Sequence, residues 1–525
     1  MGTRTRWILA TLSAFAAIFA YLMGDSYIGR LPNHAGYFLV PVEDAVVAPH
    51  LRPRHTVVIV VDGLSKSTAD KLESTRRLAG VGQCRTMTVG PITVSRAMYA
   101  VLSTGLEEDR TGSRNNDEVR PLAADSVWQS ARRAGMHLTG VSGVPWWRQL
   151  FPNAFEQYEV VENEEDEVFG REDLRDLTLI HPVYVDYMGH HHGAASREYA
   201  DAAHQADQGI LGVLDRLDLT QDLVVVTADH GHMSYGGHGG PQREIAEVVT
   251  CFAGLGVTHR SDGRPIDARV VAPTLAVLLG IPFPRHMRAL EDDLDTVFEI
   301  ADVRALPAGY VAERHRAVER FRDANRAALA RWLGPGVTPS WSTIYAREGR
   351  AQAGRLAASA ALLAALLGVT ARRRRLGLRA IAGFMTWTGL TFAASLALYV
   401  VLRHSLDFTS INARTEFLEA GLGSCAGVGA LSLVIHRVVF SDVGRLVGDE
   451  LTIVGLLALA VALHPFVYGW PLGFPLPGAQ ALFFPFLAPL MLVVHAGFAV
   501  ILSVAWGGGA TARALAEDGP TSPVL

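Results

Sequence analysis

The apolar run at 224–226 leads straight into Asp229, His230, His232 and His238, spaced by glycines, in the stretch VVVTADHGHMSYGGHGG. Ionisable side chains at a buried strand end are costly unless a partner offsets their desolvation. A metal ion suits aspartate oxygen and histidine nitrogen together. Two further places offer the same chemistry. Asp62 follows the β-branched run TVVIVV at 56–61 and precedes Gly63, and Asp186 follows LTLIHPVYV at 177–185, with His190 four residues on. Each aspartate alone reads as a turn or helix cap. Together, three strand ends supply Asp62, Asp186, His190, Asp229, His230 and His238, enough for two ions with three protein ligands and an open position each, the pattern of a catalytic site. Mixed nitrogen and oxygen ligands favour two Zn2+, with Mn2+ next, over calcium.

A nucleophile is offered by PITVSRAMYAVLSTG at 91–105. A hydroxyl opening a helix lies beside free backbone N–H groups that stabilise an anion, and contact with a metal lowers its pKa. Taken alone, the segment reads Ser95 as an N-cap.

The elements that must position these groups alternate. Strands are expected at 56–61, 137–142, 177–185, 223–226 and 248–252, and helices at 95–104, 123–134, 196–217 and 268–279. Tyr199, Ala203, Ile210 and Leu214 share one helical face. The alternation predicts an α/β fold with a mostly parallel sheet, whose ligands gather at the carboxyl ends of the strands.

Over about residues 55–290 the chain resembles the alkaline phosphatase superfamily, through VVDGL (60–64), PITVSRAMYAVLSTG (91–105), DYMGHHHG (186–193) and TADHGHMSYGGHGG (227–240), in that order. Within it the chain is most similar to the GPI ethanolamine phosphate transferases and the nucleotide pyrophosphatase/phosphodiesterases. GLEED (105–109) and DSVWQ (125–129) support the former. The resemblance implies that Asp186, His190 and His238 hold one zinc and that Asp62, Asp229 and His230 hold the other. Thr93 and Ser95 both stand where the family places its nucleophile. The family's spacing to the glycine that ends the helix, here Gly105, selects Ser95, while Thr93 is the commoner residue type. Ser95-Arg96-Ala97-Met98 lacks the x-Pro-x-Arg pattern of sulfatases. His191, His192 and His232 are extra to the ligand set and read as solvated loop histidines. Trp146 and Trp147 read as a pocket lining, a bilayer contact or a cover for the sheet edge.

Composition places this domain in a larger frame. The chain has 525 residues, 49% hydrophobic and 19% charged, and the apolar excess is concentrated at its two ends. Runs at 7–23, 355–371, 380–402, 418–436, 450–469 and 481–506 approach the roughly 20 apolar residues that cross a bilayer as a helix. Arg4, Arg6, Arg372–Arg375, Arg437 and Arg445 flank them on one side, which puts both termini in the cytoplasm and residues 24–354 outside it. The first run reads as an uncleaved anchor in preference to a signal peptide, since it lacks a clear small-x-small site. The expected organisation is an anchor at 1–24, an exported catalytic domain at 25–305, a helical linker at 306–354, a transmembrane α-helical bundle at 355–506 and a cytoplasmic tail at 507–525. The net charge of −5 gives no sign of nucleic-acid binding. Cys84 and Cys251 could pair in an oxidising compartment, but sequence cannot bring them together.

The function these features predict is phosphotransfer through a phospho-serine. A phospholipid would donate phosphoethanolamine or a similar head group, and a lipid- or sugar-linked hydroxyl would accept it. With water as acceptor the same site is a phosphodiesterase. A contrasting reading makes the bundle a transporter or scaffold beside an inactive exported domain.

Overall fold

In the computed structural model the described residues are 48–333 without 91, 114–115, 117–119, 163–166, 171–173, 260–262 and 288–290, together with Pro41, Gly336 and helical pieces between 353 and 401. The candidate spans 7–23, 418–436, 450–469 and 481–506 lie outside the described residues, and 355–371 and 380–402 are described only in part. Among the described residues no helix is long and apolar enough to cross a membrane.

The strands are β1 (Thr56–Val60), β2 (Gly82–Thr88), β3 (Leu138–Ser142), β4 (Gln157–Val160), β5 (Leu177–His181), β6 (Leu223–Thr227), β7 (Glu247–Gly254) and β8 (Ile266–Asp267), in one sheet of order β4-β3-β5-β1-β6-β7-β2-β8. β1 lies parallel to both β5 and β6, and every residue of these three strands is buried. Their near-continuous apolar composition is what a strand covered on both faces requires. Only β7 runs against its neighbours β6 and β2, so the expected α/β architecture holds as a mixed, mostly parallel sheet.

The helices used below are α1 (Glu73–Val81), α2 (Ser95–Thr104), α3 (Val127–Arg133), α4 (Trp146–Leu150), α5 (Tyr184–His192), α6 (Arg197–Leu214), α7 (Val271–Leu278), α8 (Glu291–Ile300) and α9 (Tyr310–Leu333). α1, α5 and α6 pack among themselves, as do α2, α3, α4, α7 and α8, the arrangement of a sheet clothed on two faces. Local signals set their ends. Ser196 caps α6 by accepting from Tyr199 N–H, and DSVWQ is a helix start in which Ser126 and Gln129 form a reciprocal capping box. α2 spans the expected residues and stops at Gly105, whose φ of +69° ends the helix in the left-handed region.

Two expectations are corrected. The run 177–185 is not one strand: β5 ends at His181 because Pro182 has no N–H for the ladder, and Asp186 sits in the first turn of α5. β2 was not expected at all, since GQCRTMT carries few β-branched residues. It is nonetheless a full strand, paired over its length with β7. That pairing sets Cys84 opposite Cys251, joined by a disulfide. The N-terminal half of α9 packs on the domain through buried Tyr310, Arg314, Val318 and Phe321, and Arg314 donates to Ile281 O at 2.7 Å.

Candidate functional site

β5, β1 and β6 are neighbours, so the segments leaving their carboxyl ends must meet. Asp62 follows β1, Asp229 and His230 follow β6, and α5 swings Asp186 and His190 back toward both. Gly63 permits this approach. Its φ is +70°, and a Cβ there would lie 2.8 Å from Asp186 Cα, a clash no side chain could relieve.

Five of the six expected ligands are buried and His190 is half-buried. His230 Nε2 faces three oxygens at once: Ser95 Oγ at 3.2 Å, Asp229 Oδ2 at 3.3 Å and Asp62 Oδ1 at 3.5 Å. Its other nitrogen, Nδ1, lies 3.1 Å from Gly231 O. A carbonyl only accepts, so the proton belongs on Nδ1 and Nε2 presents a lone pair to those oxygens. His238 repeats the pattern. Nδ1 meets Thr93 O at 2.8 Å, leaving an Nε2 lone pair 3.2 Å from His190 Nε2 and 3.6 Å from Asp186 Oδ1. Lone pairs converging on carboxylates repel unless a cation lies between them, and this tautomer is the metal-ligating one.

The electrostatics agree. Burial, with Asp62 and Asp186 nearby, pushes the Asp229 carboxyl well above its usual range. Asp229 Oδ2 has no aligned hydrogen bond despite its 3.3 Å approach to His230. Burial would also raise Asp186, but His190 and His232 outweigh it and hold that carboxyl well below the usual range. Burial lowers His230 and, with His230 beside it, lowers His238 strongly, so both imidazoles are neutral. A crowd of buried carboxylates and neutral imidazoles with an orphaned oxygen fits divalent cations. Asp62, Asp229 and His230 can share one ion, and Asp186, His230, His232 and His238 form a second group whose ligand atoms lie within 4.8 Å of one another. His190 adjoins that group through Asp186 Oδ2 at 3.1 Å.

The two candidate hydroxyls separate here. Ser95 is the first residue of α2, with Val94 as N-cap, and its side chain makes no cap. It points instead into the cluster, toward His230 and, at 3.5 Å, Asp62 Oδ1. Thr93 faces the loop beyond His238, donating to Gly240 O at 2.8 Å and accepting from Gly239 N–H at 3.0 Å.

Several neighbours escaped the sequence reading. His232 is not a solvated loop residue. It is buried, and Nε2 lies 2.6 Å from Asp186 Oδ1. Its ring rests against Gly189, where a Cβ would meet its Cγ at 2.6 Å, a fit invisible from spacing. His191 and His192 are exposed, as expected, but stand in the last turn of α5 and not in a loop. Tyr99, one turn after Ser95, donates to Asp62 Oδ2, and His181 from β5 approaches the same oxygen. Asn116 Oδ1 accepts from Arg96 N–H at 3.0 Å beside Ser95. Trp147 is core: it stacks on Tyr99 at 4.4 Å and meets Trp128 edge-on. Trp146 is half-buried under the Arg96 guanidinium at 4.7 Å.

Comparison with known proteins finds partial similarities. Residues 137–239 match the family model of Type I phosphodiesterase / nucleotide pyrophosphatase. The catalytic subunit of GPI ethanolamine phosphate transferase 3 from Mus musculus is 26% identical over 281 residues, covering 48% of this chain and 25% of that protein. The Homo sapiens counterpart is 27% identical over 263 residues, covering 46% and 24%. The matched stretch thus spans about a quarter of these relatives' length. Among solved structures, murine ectonucleotide pyrophosphatase / phosphodiesterase 5, inactive and with AMP, superposes with a TM-score of 0.39 at 14% identity, covering 46% of this chain and 99% of that one. A protein of the alkaline phosphatase superfamily from Vibrio parahaemolyticus gives 0.37 at 13% identity, covering 52% and 76%. The resemblance read from the sequence therefore stands as a similarity: residues 137–239 match the Type I phosphodiesterase / nucleotide pyrophosphatase model, and about half of the chain is similar to GPI ethanolamine phosphate transferases.

Proposed function

We propose that the domain is a metal-dependent phosphotransferase that uses Ser95 to take a phosphoethanolamine-type group from a phospholipid and pass it to a lipid- or sugar-linked hydroxyl. The observation that carries this reading is Ser95 Oγ at 3.2 Å from His230 Nε2 within a set of three buried aspartates and three buried histidines, with half-buried His190 beside them. In this reading Asp62, Asp229 and His230 hold one zinc ion, and Asp186, His190 and His238 hold the other, with His232 bracing Asp186. Bound there, the ions would supply Lewis-acid polarisation of a phosphodiester and a lowered pKa for the serine hydroxyl.

The chain's own groups do the rest. Ser95 Oγ gives up its proton and attacks phosphorus, forming an Oγ–P bond as the bond to the leaving oxygen breaks and the leaving alcohol takes up a proton. The N-terminus of α2 offers N–H groups to the phosphoryl oxygens, and Asn116 sets a side-chain amide beside Ser95. A second alcohol then attacks phosphorus and loses its proton as the Oγ–P bond breaks, and Ser95 Oγ regains a proton. With water as that acceptor the product is a hydrolysed diester. The family-model match over 137–239 favours keeping this phosphodiesterase reading alongside.

The Cys84–Cys251 disulfide supports an oxidising, exported setting for the domain, with the anchor at 1–24, the linker at 306–354 and the bundle at 355–506 forming the membrane part. The test uses the full chain in detergent with zinc and phosphatidylethanolamine labelled in its head group. Label should appear on Ser95 after an acid quench and move to an added glycolipid acceptor. Release of free phosphoethanolamine whatever the acceptor would establish hydrolysis instead. Label on no residue would reject the covalent route.

A further inference from the structure

The two oxygens of Asp62 live in different surroundings. Oδ1 faces the reacting side, 3.5 Å from both Ser95 Oγ and His230 Nε2. Oδ2 faces away, toward two groups that belong neither to the ligand set nor to the nucleophile. Tyr99 O–H donates to it directly. His181 Nε2 lies 3.3 Å from it, too oblique for an aligned hydrogen bond yet close enough for a strong charge–dipole contact. Asp62, Tyr99 and His181 are all fully buried, so no solvent competes for these contacts.

The tautomer of His181 is fixed from behind. Its Nδ1 lies 2.7 Å from Ser142 Oγ, and Ser142 Oγ also accepts from Val144 N–H at 3.1 Å. Were Ser142 to accept from Nδ1–H as well, His181 would turn a bare Nε2 lone pair onto a carboxylate oxygen, which is repulsive. With Ser142 donating to Nδ1, the proton sits on Nε2 and faces Oδ2. The chain Val144 N–H to Ser142 to His181 to Asp62 is then consistently polarised. Tyr99 adds the second clamp. It stands four residues after Ser95 on the same helix, so one rigid element carries both the hydroxyl and the group that fixes Asp62. Its ring is held by Trp147, stacked at 4.4 Å, and by the edge of His181 at 4.9 Å.

We propose that Tyr99, His181 and Ser142 form a positioning relay that locks the Asp62 carboxylate with Oδ1 presented to Ser95, and so sets metal affinity in the Asp62–Asp229–His230 half of the site. The inference rests on the metal-dependent reading above. In this relay the three act through Asp62, and their role is to deny it the rotation that would spread its ligand oxygen over several positions. Outer partners of this kind typically change metal affinity by about 10–100-fold.

The test uses the full-length protein, zinc-loaded, with Tyr99→Phe, His181→Leu, His181→Gln and Ser142→Ala. Tyr99→Phe keeps the ring stack, and His181→Gln can return an N–H toward Oδ2. Zinc retention is titrated against a chelator, and unfolding temperature is measured in metal-free protein so that misfolding registers separately. Tyr99→Phe and His181→Leu should each weaken retention of one of the two zinc ions by about 10–100-fold, with kcat falling and KM little changed. Ser142→Ala should act in the same direction but less, and His181→Gln should recover part of the loss. Unchanged zinc retention and kcat in Tyr99→Phe and His181→Leu, both folded, would overturn the relay. A wild-type protein that binds no zinc, or an active Ser95→Ala, would instead overturn the underlying reading, so the two failures are distinguishable.

Discussion

Strand β6 is flanked by an aspartate at each end, and the two could hardly be treated more differently. At the amino end, Asp222 is fully buried yet well supplied with donors: Arg54 Nε at 3.0 Å and Nη2 at 2.7 Å, His55 N–H at 3.2 Å and Asp218 N–H at 2.8 Å. Burial opposes its charge, but the Arg54 and Asp218 donors win and hold the carboxyl below its usual range. At the carboxyl end, Asp229 is equally buried, receives only backbone N–H groups on Oδ1, and faces two more aspartates and a neutral imidazole. Identical residue type and burial thus give a structural carboxylate at one edge and a frustrated one at the other. The difference lies in the partner. One edge carries its cation as Arg54, and the other has the buried ligand types that could take one from solution.

The largest break in this comparison is at the nucleophile. Ser95→Ala should lower kcat at least about 10³-fold and abolish the covalent adduct, while zinc stays bound. Thr93→Ala should retain the adduct, because the Thr93 hydroxyl serves Gly239 and Gly240 and acts only through the loop that carries His238. The reverse result would assign the chemistry to Thr93.

The two aspartates give the next test. Asp229→Asn should cost zinc binding and activity yet leave the metal-free protein as stable as wild type or more so, since it removes a carboxyl whose ionisation burial, Asp62 and Asp186 oppose. Asp222→Asn should destabilise the protein by about 1–3 kcal/mol with or without zinc, by stranding donors, while specific activity of the folded fraction holds. Calorimetry of both variants in chelator and in zinc separates the cases, and equal losses in all four conditions would erase the distinction.

A smaller effect concerns pH. The folded Asp222 carboxyl lies below its unfolded value, so its contribution is fully present above the ordinary carboxylate range and is lost as pH falls through the depressed one. Wild type should therefore lose more stability than Asp222→Asn on acidification through that window. Parallel stability curves would contradict the assignment.

Much of this arrangement is legible in the chain itself. TVVIV and LVVVT announce buried parallel strands, and each carries an aspartate just beyond its end, so the meeting of the candidate ligands follows from pattern and order. What escapes is whatever depends on packing. His232 reads like a loop residue until Gly189 lets α5 close over its ring. His181 is one polar residue in an apolar strand, and only the neighbouring β3 shows that Ser142 stands behind it. β2 hides because its residues are chosen for partners, such as Arg85 on Gln83 and Glu299, and not for β propensity. Asp186 belongs to α5, one element later than the apolar run suggests, because the break at Pro182 sits inside that run.

The carboxyl edge of β5, β1 and β6 should hold two cations. Crystals of the zinc-loaded protein, measured on both sides of the zinc absorption edge, test it most directly. Two anomalous peaks should appear, one among Asp62, Asp229 and His230 and one beside Asp186 and His238. A map with no peak there, in crystals that contain zinc, would contradict the account.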